Sequence, residues 1–139
     1  MKNTLCFLPL LFCLSCQKQS AQPNNEPTVD ISKIYGKWDW IGSSGGFAGS
    51  TYTPKSEHQT RMLNITSDNQ MYLYTNGSLT AQWQFTIDKG RSYITGDTAY
   101  LIHYTQGSPN DVILTAKRDT LIIANEVSDG FTTGYVRHK

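Results

Sequence analysis

Ser78-Leu79-Thr80-Ala81-Gln82-Trp83-Gln84-Phe85-Thr86-Ile87 is the stretch on which the fold turns. Successive strand side chains point to opposite sides, so Leu79, Ala81, Trp83, Phe85 and Ile87 share one face and Thr80, Gln82, Gln84 and Thr86 the other. One apolar face and one polar face mark an antiparallel strand, half in a core and half in water.

The flanking segments repeat the pattern. Asn76-Gly77, immediately upstream, suits a two-residue hairpin turn, because both central residues of a type I′ turn need positive φ. Gln70 to Thr75 is therefore the preceding strand, and Ser67-Asp68-Asn69 turns back to Gln59–Thr66, with Leu63 and Ile65 inward. Downstream, Asp88-Lys89-Gly90 reads as a turn. Strands are expected at Arg91–Thr95, Thr98–Thr105, Val112–Ala116, Thr120–Ala124 and Phe131–Arg137. Gly96-Asp97, Ser108-Pro109-Asn110-Asp111, Arg118-Asp119 and Ser128-Asp129-Gly130 punctuate them. Tyr35–Ile41 adds a first strand, and Gly42–Glu57, with four glycines and Pro54, is expected to be an Ω-like loop or lid. Nothing from Ser32 onward carries a helical period. The prediction is an all-β domain over 32–139, an antiparallel up-and-down meander closing into a small barrel of about eight strands, which also removes exposed edges.

The other end of the chain has a different character. Lys2 is followed by an apolar run, Leu5 to Leu14, then Ser15 and Cys16. Ten helical residues rise about 15 Å, half a hydrocarbon core, so the run is too short to span and reads as a secretory signal over 1–15. Leu14-Ser15-Cys16 resembles the lipobox of bacterial lipoproteins, with Cys13 where Leu is usual. That resemblance implies cleavage before Cys16 and its acylation, hence a membrane partner through a lipid anchor; several acyl chains hold a protein where one does not. Cys6 and Cys13 would leave with the signal, so one cysteine remains and neither a disulfide framework nor a thiolate zinc site can form. Gln17 is not aspartate, and Gln17-Lys18-Gln19-Ser20 has no acid. By resemblance this favours the outer membrane, on the periplasmic leaflet. Residues 16–31, polar and broken by Pro23 and Pro27, read as a tether.

Gly36-Lys37-Trp38 matches the Gly-x-Trp signature of lipocalins. Tyr35 to Trp38, Ser44 to Gly49 with Tyr52-Thr53-Pro54, Asp119 to Ile123, and Asp129 to Thr132 with Tyr135-Val136-Arg137 follow in order. Together they resemble the small lipocalin-like lipoproteins of Gram-negative bacteria. The resemblance implies a barrel with a glycine-rich first loop near its mouth, and structural roles for Gly36, Trp38 and Arg137, the arginine packing over the tryptophan at the closed end. A second lipocalin motif of Thr-Asp-Tyr type and a C-terminal helix are not readable.

Little in the chain suggests chemistry. The net charge of +1 gives no electrostatic case for nucleic acid. His58, His103 and His138 lack metal-ligand spacing, and Gly42, Gly45, Gly46 and Gly49 do not form a phosphate loop. No nucleophile elbow or catalytic cysteine is visible, so neither an enzyme nor a cofactor is expected. Asp97-Thr98-Ala99 and Asp119-Thr120-Leu121 resemble O-glycan acceptor sites, yet both sit where a turn accounts for them. The candidate ligand-binding residues are the aromatics Trp40, Phe47, Tyr52, Tyr72, Trp83, Tyr100 and Tyr104. Two readings stand: the aromatics line a cavity for a small apolar or amphipathic ligand, or they fill the barrel and its outside binds an envelope protein.

Overall fold

The computed structural model describes residues 29–107 and 110–139. The expectations for the signal, Cys16 and most of the tether fall on residues outside that description. The described chain is all-β. Its strands are β1 (Gly36–Gly45), β2 (Ser50–Tyr52), β3 (Arg61–Ile65), β4 (Gln70–Thr75), β5 (Ser78–Arg91), β6 (Thr98–Tyr104), β7 (Asp111–Lys117), β8 (Thr120–Asn125) and β9 (Phe131–Arg137). Helix is limited to a 3₁₀ turn at Ile31–Lys33 and one α turn, α1 (Pro54–Glu57). β1 and β3 to β9 pair antiparallel in order, and β9 returns to β1 to close an eight-stranded barrel; β2 is an extra strand on the β1 edge.

Each closing contact follows from local sequence. Asn76 and Gly77 take φ of 50° and 80°, the left-handed pair that a type I′ turn requires, and so join β4 to β5. Inward residues of successive strands then meet at one level: Leu63 opposes Leu73, and Met71 opposes Trp83. One half of the barrel is solidly packed. Ile34, Trp38, Ile65, Phe85, Ile102, Ile113 and Leu121 are all buried there. The 3₁₀ turn lies beneath them, started by Asp30, whose carboxylate accepts the Ser32 amide at 3.0 Å.

Four expectations need correction. The Asp88-Lys89-Gly90 turn and the Arg91–Thr95 strand do not form; β5 runs through the expected turn and ends at Arg91, with Asp88, Lys89 and Gly90 opposite Leu101, Tyr100 and Ala99. Gly90 serves close packing, since a Cβ there would stand 2.9 Å from Leu101 Cδ1. The turn comes later, where Ser92 Oγ accepts the amides of Ile94 and Thr95. Leu79 faces outward and is half exposed, because Thr80 is an extra residue between the Leu73–Ala81 and Tyr74–Leu79 pairs and reverses the alternation beyond it. The 42–57 interval is a hairpin of β1 with β2 followed by α1, not an irregular loop. Finally, the folded part starts before Ser32: Val29 is buried and bridges Ala116.

A second, smaller apolar cluster lies on the outer face of β6 to β8, where Ala99, Leu101, Val112 and Ala124 pack with Leu114. The β5–β6 loop is tied at this side. Ser92, itself buried, donates its hydroxyl to the Glu126 carboxylate, which also accepts the Tyr93 amide at 2.8 Å.

Candidate functional site

The two ends of the barrel differ because the sequence places bulk at one and polarity at the other. At the closed end Trp38 is fully buried and its indole N–H donates to the Ile34 carbonyl at 2.7 Å. The Arg137 guanidinium lies 3.6 Å from the Trp38 ring centre and donates to the carbonyls of Tyr35 and Lys33, both at 2.7 Å. Gly36, at φ +118°, lets this happen, since a Cβ would come 2.7 Å from Arg137 Nη1. The three residues meet as a structural unit.

Above that plug the interior opens into a cavity of about 250 Å³. Leu63, Met71, Leu73, Trp83 and Ile123 supply its apolar wall, and Tyr104, Asp111, Asn125, Thr133 and Tyr135 its polar one. Three of the polar residues stand at strand ends in the inward phase: Asp111 opposite Asn125 at the end of the β7–β8 pair away from their turn, and Tyr104 at the end of β6. The Tyr104 hydroxyl donates to Asp111 Oδ2 at 2.6 Å and Asn125 Nδ2 donates to Oδ1 at 2.8 Å. Asn125 is itself oriented, its Oδ1 accepting the Phe131 amide at 2.9 Å. Burial pushes the Asp111 carboxyl above its ordinary range, and the two hydrogen bonds only partly oppose this. Burial likewise raises the hydroxyls of Tyr104 and Tyr135, with the Asp111 charge adding to it.

Between cavity and solvent lies a rim of Ser43, Tyr52, Glu57, Arg61, Phe131 and Thr133. Arg61 stacks 4.5 Å from the Trp40 ring centre, and Trp40 Nε1 donates to Ser43 Oγ at 3.0 Å. Tyr52 packs on Phe131 with ring centres 5.8 Å apart. α1 brings Glu57 here through a capping box in which Thr53 Oγ1 accepts the Ser56 amide.

The candidate aromatics therefore separate. Trp83 and Tyr104 line the cavity, with ring centres 6.1 Å apart. Tyr52 lies on the rim, and Trp40 is buried beside it under Arg61. Tyr100 packs against the main core with Lys89 over its ring. Tyr72 pairs with Asn64 and Gln82, on the outer alternation of β4, and Phe47 is 97% exposed at the β1–β2 tip. Sequence reasoning missed Asp111, Asn125 and Arg61. In sequence Asp111 reads as turn punctuation; the available signal is that Asp111 and Asn125 keep the phase of the inward residues Ile113 and Ile123.

Among the described residues, no group of three or more His, Cys, Asp or Glu is arranged to hold a metal ion. No described helix is long and apolar enough to cross a membrane. No family model, curated protein or solved structure matches the chain. The described chain is thus a closed antiparallel barrel, plugged at one end, with a carboxylate and aromatic rings in its open half.

Proposed function

We propose that this chain is a non-enzymatic binding protein of the bacterial cell envelope, anchored through Cys16, that takes a small apolar or amphipathic ligand into the open half of its barrel. The cavity of about 250 Å³ carries the reading. Ligand pockets are commonly about 300–1,000 Å³, apolar, with a few convergent polar groups, so this one suits a small guest. Its apolar wall and its Asp111–Tyr104–Asn125 group match that pattern.

Native mass spectrometry of the full chain, freshly purified from the envelope, tests the binding. A reproducible added mass that leaves on denaturation is expected; bare polypeptide plus lipid counts against it. The anchor has its own test, incorporation of labelled palmitate that Cys16→Ala abolishes. A second reading, docking to another envelope protein, draws on Phe47, an aromatic ring left in water at a hairpin tip. It predicts that Phe47→Ser abolishes a cross-link to a partner while leaving the barrel folded.

A further inference from the structure

The ligand reading leaves the guest's chemistry open, and three features of the wall narrow it. The first is an uncompensated carboxylate. An ionised carboxylate offers about four acceptor positions, and Asp111 has two protein donors, Tyr104 and Asn125. No Lys, Arg or His forms an ion pair with it among the described residues; the ion pairs there are His103–Asp88 and His138–Asp39. Glu126 adds further negative charge nearby. A buried charge without a counter-ion is costly, and one arriving with the ligand would relieve that cost.

The second is Tyr135. Its ring lines the same cavity close enough to feel the Asp111 charge, and its hydroxyl makes no hydrogen bond to any described residue. Its oxygen faces the cavity and is open to a guest or water. The third is the pair of aromatic faces, Trp83 and Tyr104, tilted at 53° to one another; such faces attract cations.

Resting on the ligand reading above, we propose that the cavity recognises a small organic cation, a primary or secondary ammonium carried on an apolar body. The ammonium donates to Asp111 and to the Tyr135 oxygen, and the body lies against Leu63, Met71 and Leu73. Liquid water occupies about 30 Å³ per molecule, so a space of about 250 Å³ corresponds to a guest of roughly eight non-hydrogen atoms. Arg61, the cation at the rim, is stacked on Trp40 and shares the rim with Glu57. An anionic guest would meet the Asp111 charge, and a neutral one would leave it without a counter-ion.

Calorimetric titration of the full-length chain with 2-phenylethylammonium, 2-phenylethanol and phenylacetate tests this. The ammonium should bind about tenfold or more tightly than the alcohol, as charge-assisted hydrogen bonds exceed neutral ones, and the acid should not bind. Asp111→Asn, checked by circular dichroism, should erase the preference and keep the alcohol. Should that variant not fold, the wild-type pH profile gives the answer. Ammonium affinity should fall as Asp111 takes up its proton, while alcohol affinity stays flat. The neighbouring Tyr104 and Tyr135 remain neutral across that range, and Glu126, the other carboxylate nearby, is held by Ser92 and Tyr93 and does not line the cavity. Equal binding of alcohol and ammonium, a flat ammonium profile, or tightest binding of phenylacetate overturns the cation proposal but leaves the cavity reading standing. No binding of any of the three overturns both.

Discussion

Arg137 covers the Trp38 face and at the same time satisfies two carbonyls of the segment that plugs the barrel. Arg137→Ala should therefore cost about 2–4 kcal/mol, combining a cation–π contact with charged hydrogen bonds, as read from urea denaturation. Arg137→Lys should recover little, because an ammonium cannot span both carbonyls while lying flat on the ring. Asp111 acts in the opposite sense. Below the ordinary carboxylate range both folded and unfolded chains hold its proton; between that range and its raised value only the folded chain does. Stability therefore falls as pH rises through the window. The urea midpoint of the wild type, relative to Asp111→Asn, should decline from acidic toward neutral pH. Of these two residues, Arg137 was legible through a motif that ends a strand, whereas Asp111 was hidden by its type. An aspartate beside proline and asparagine looks like a turn until the strand after it is placed.

The hairpins were legible where local chemistry alone decides them. Asn76-Gly77 takes its left-handed turn from its own residue types, and Gln70–Thr75 and Phe131–Arg137 form strands with the expected bounds. Asp88-Lys89-Gly90 was not legible, because its glycine answers to Leu101 on the neighbouring strand and not to a turn. Leu79 failed for a related reason, as a bulge at Thr80 leaves no mark in an alternating sequence. The true β5–β6 loop depends on a residue far along the chain: Glu126 takes both the Ser92 hydroxyl and the Tyr93 amide. Glu126→Ala should release that loop without opening the barrel. Hydrogen exchange should then quicken at the amides of Tyr93, Ile94 and Thr95 and stay slow at Leu121 and Ile123.

Across the whole molecule, a chain of hairpins ending in a strand that pairs with the first has no free edge in its barrel, and closure follows from strand count and alternation. What alternation cannot convey is how the interior is shared between packing and space. Large residues crowd the closed end, whereas Trp83 stands on the cavity wall and is only partly buried. Trp38→Ala should accordingly cost about 3–5 kcal/mol, as in a packed core, and Trp83→Ala only about 1–3 kcal/mol, compared by chemical denaturation.

Xenon uptake followed by methyl NMR on the full chain reads that division of the interior. Xenon enters apolar cavities and shifts the methyls it touches. Shifts are expected at Leu63, Met71, Leu73 and Ile123, which line the cavity, and none at Ile34, Ile65 and Leu121 in the plug. Unmoved methyls throughout would mean a filled barrel with no place for a ligand.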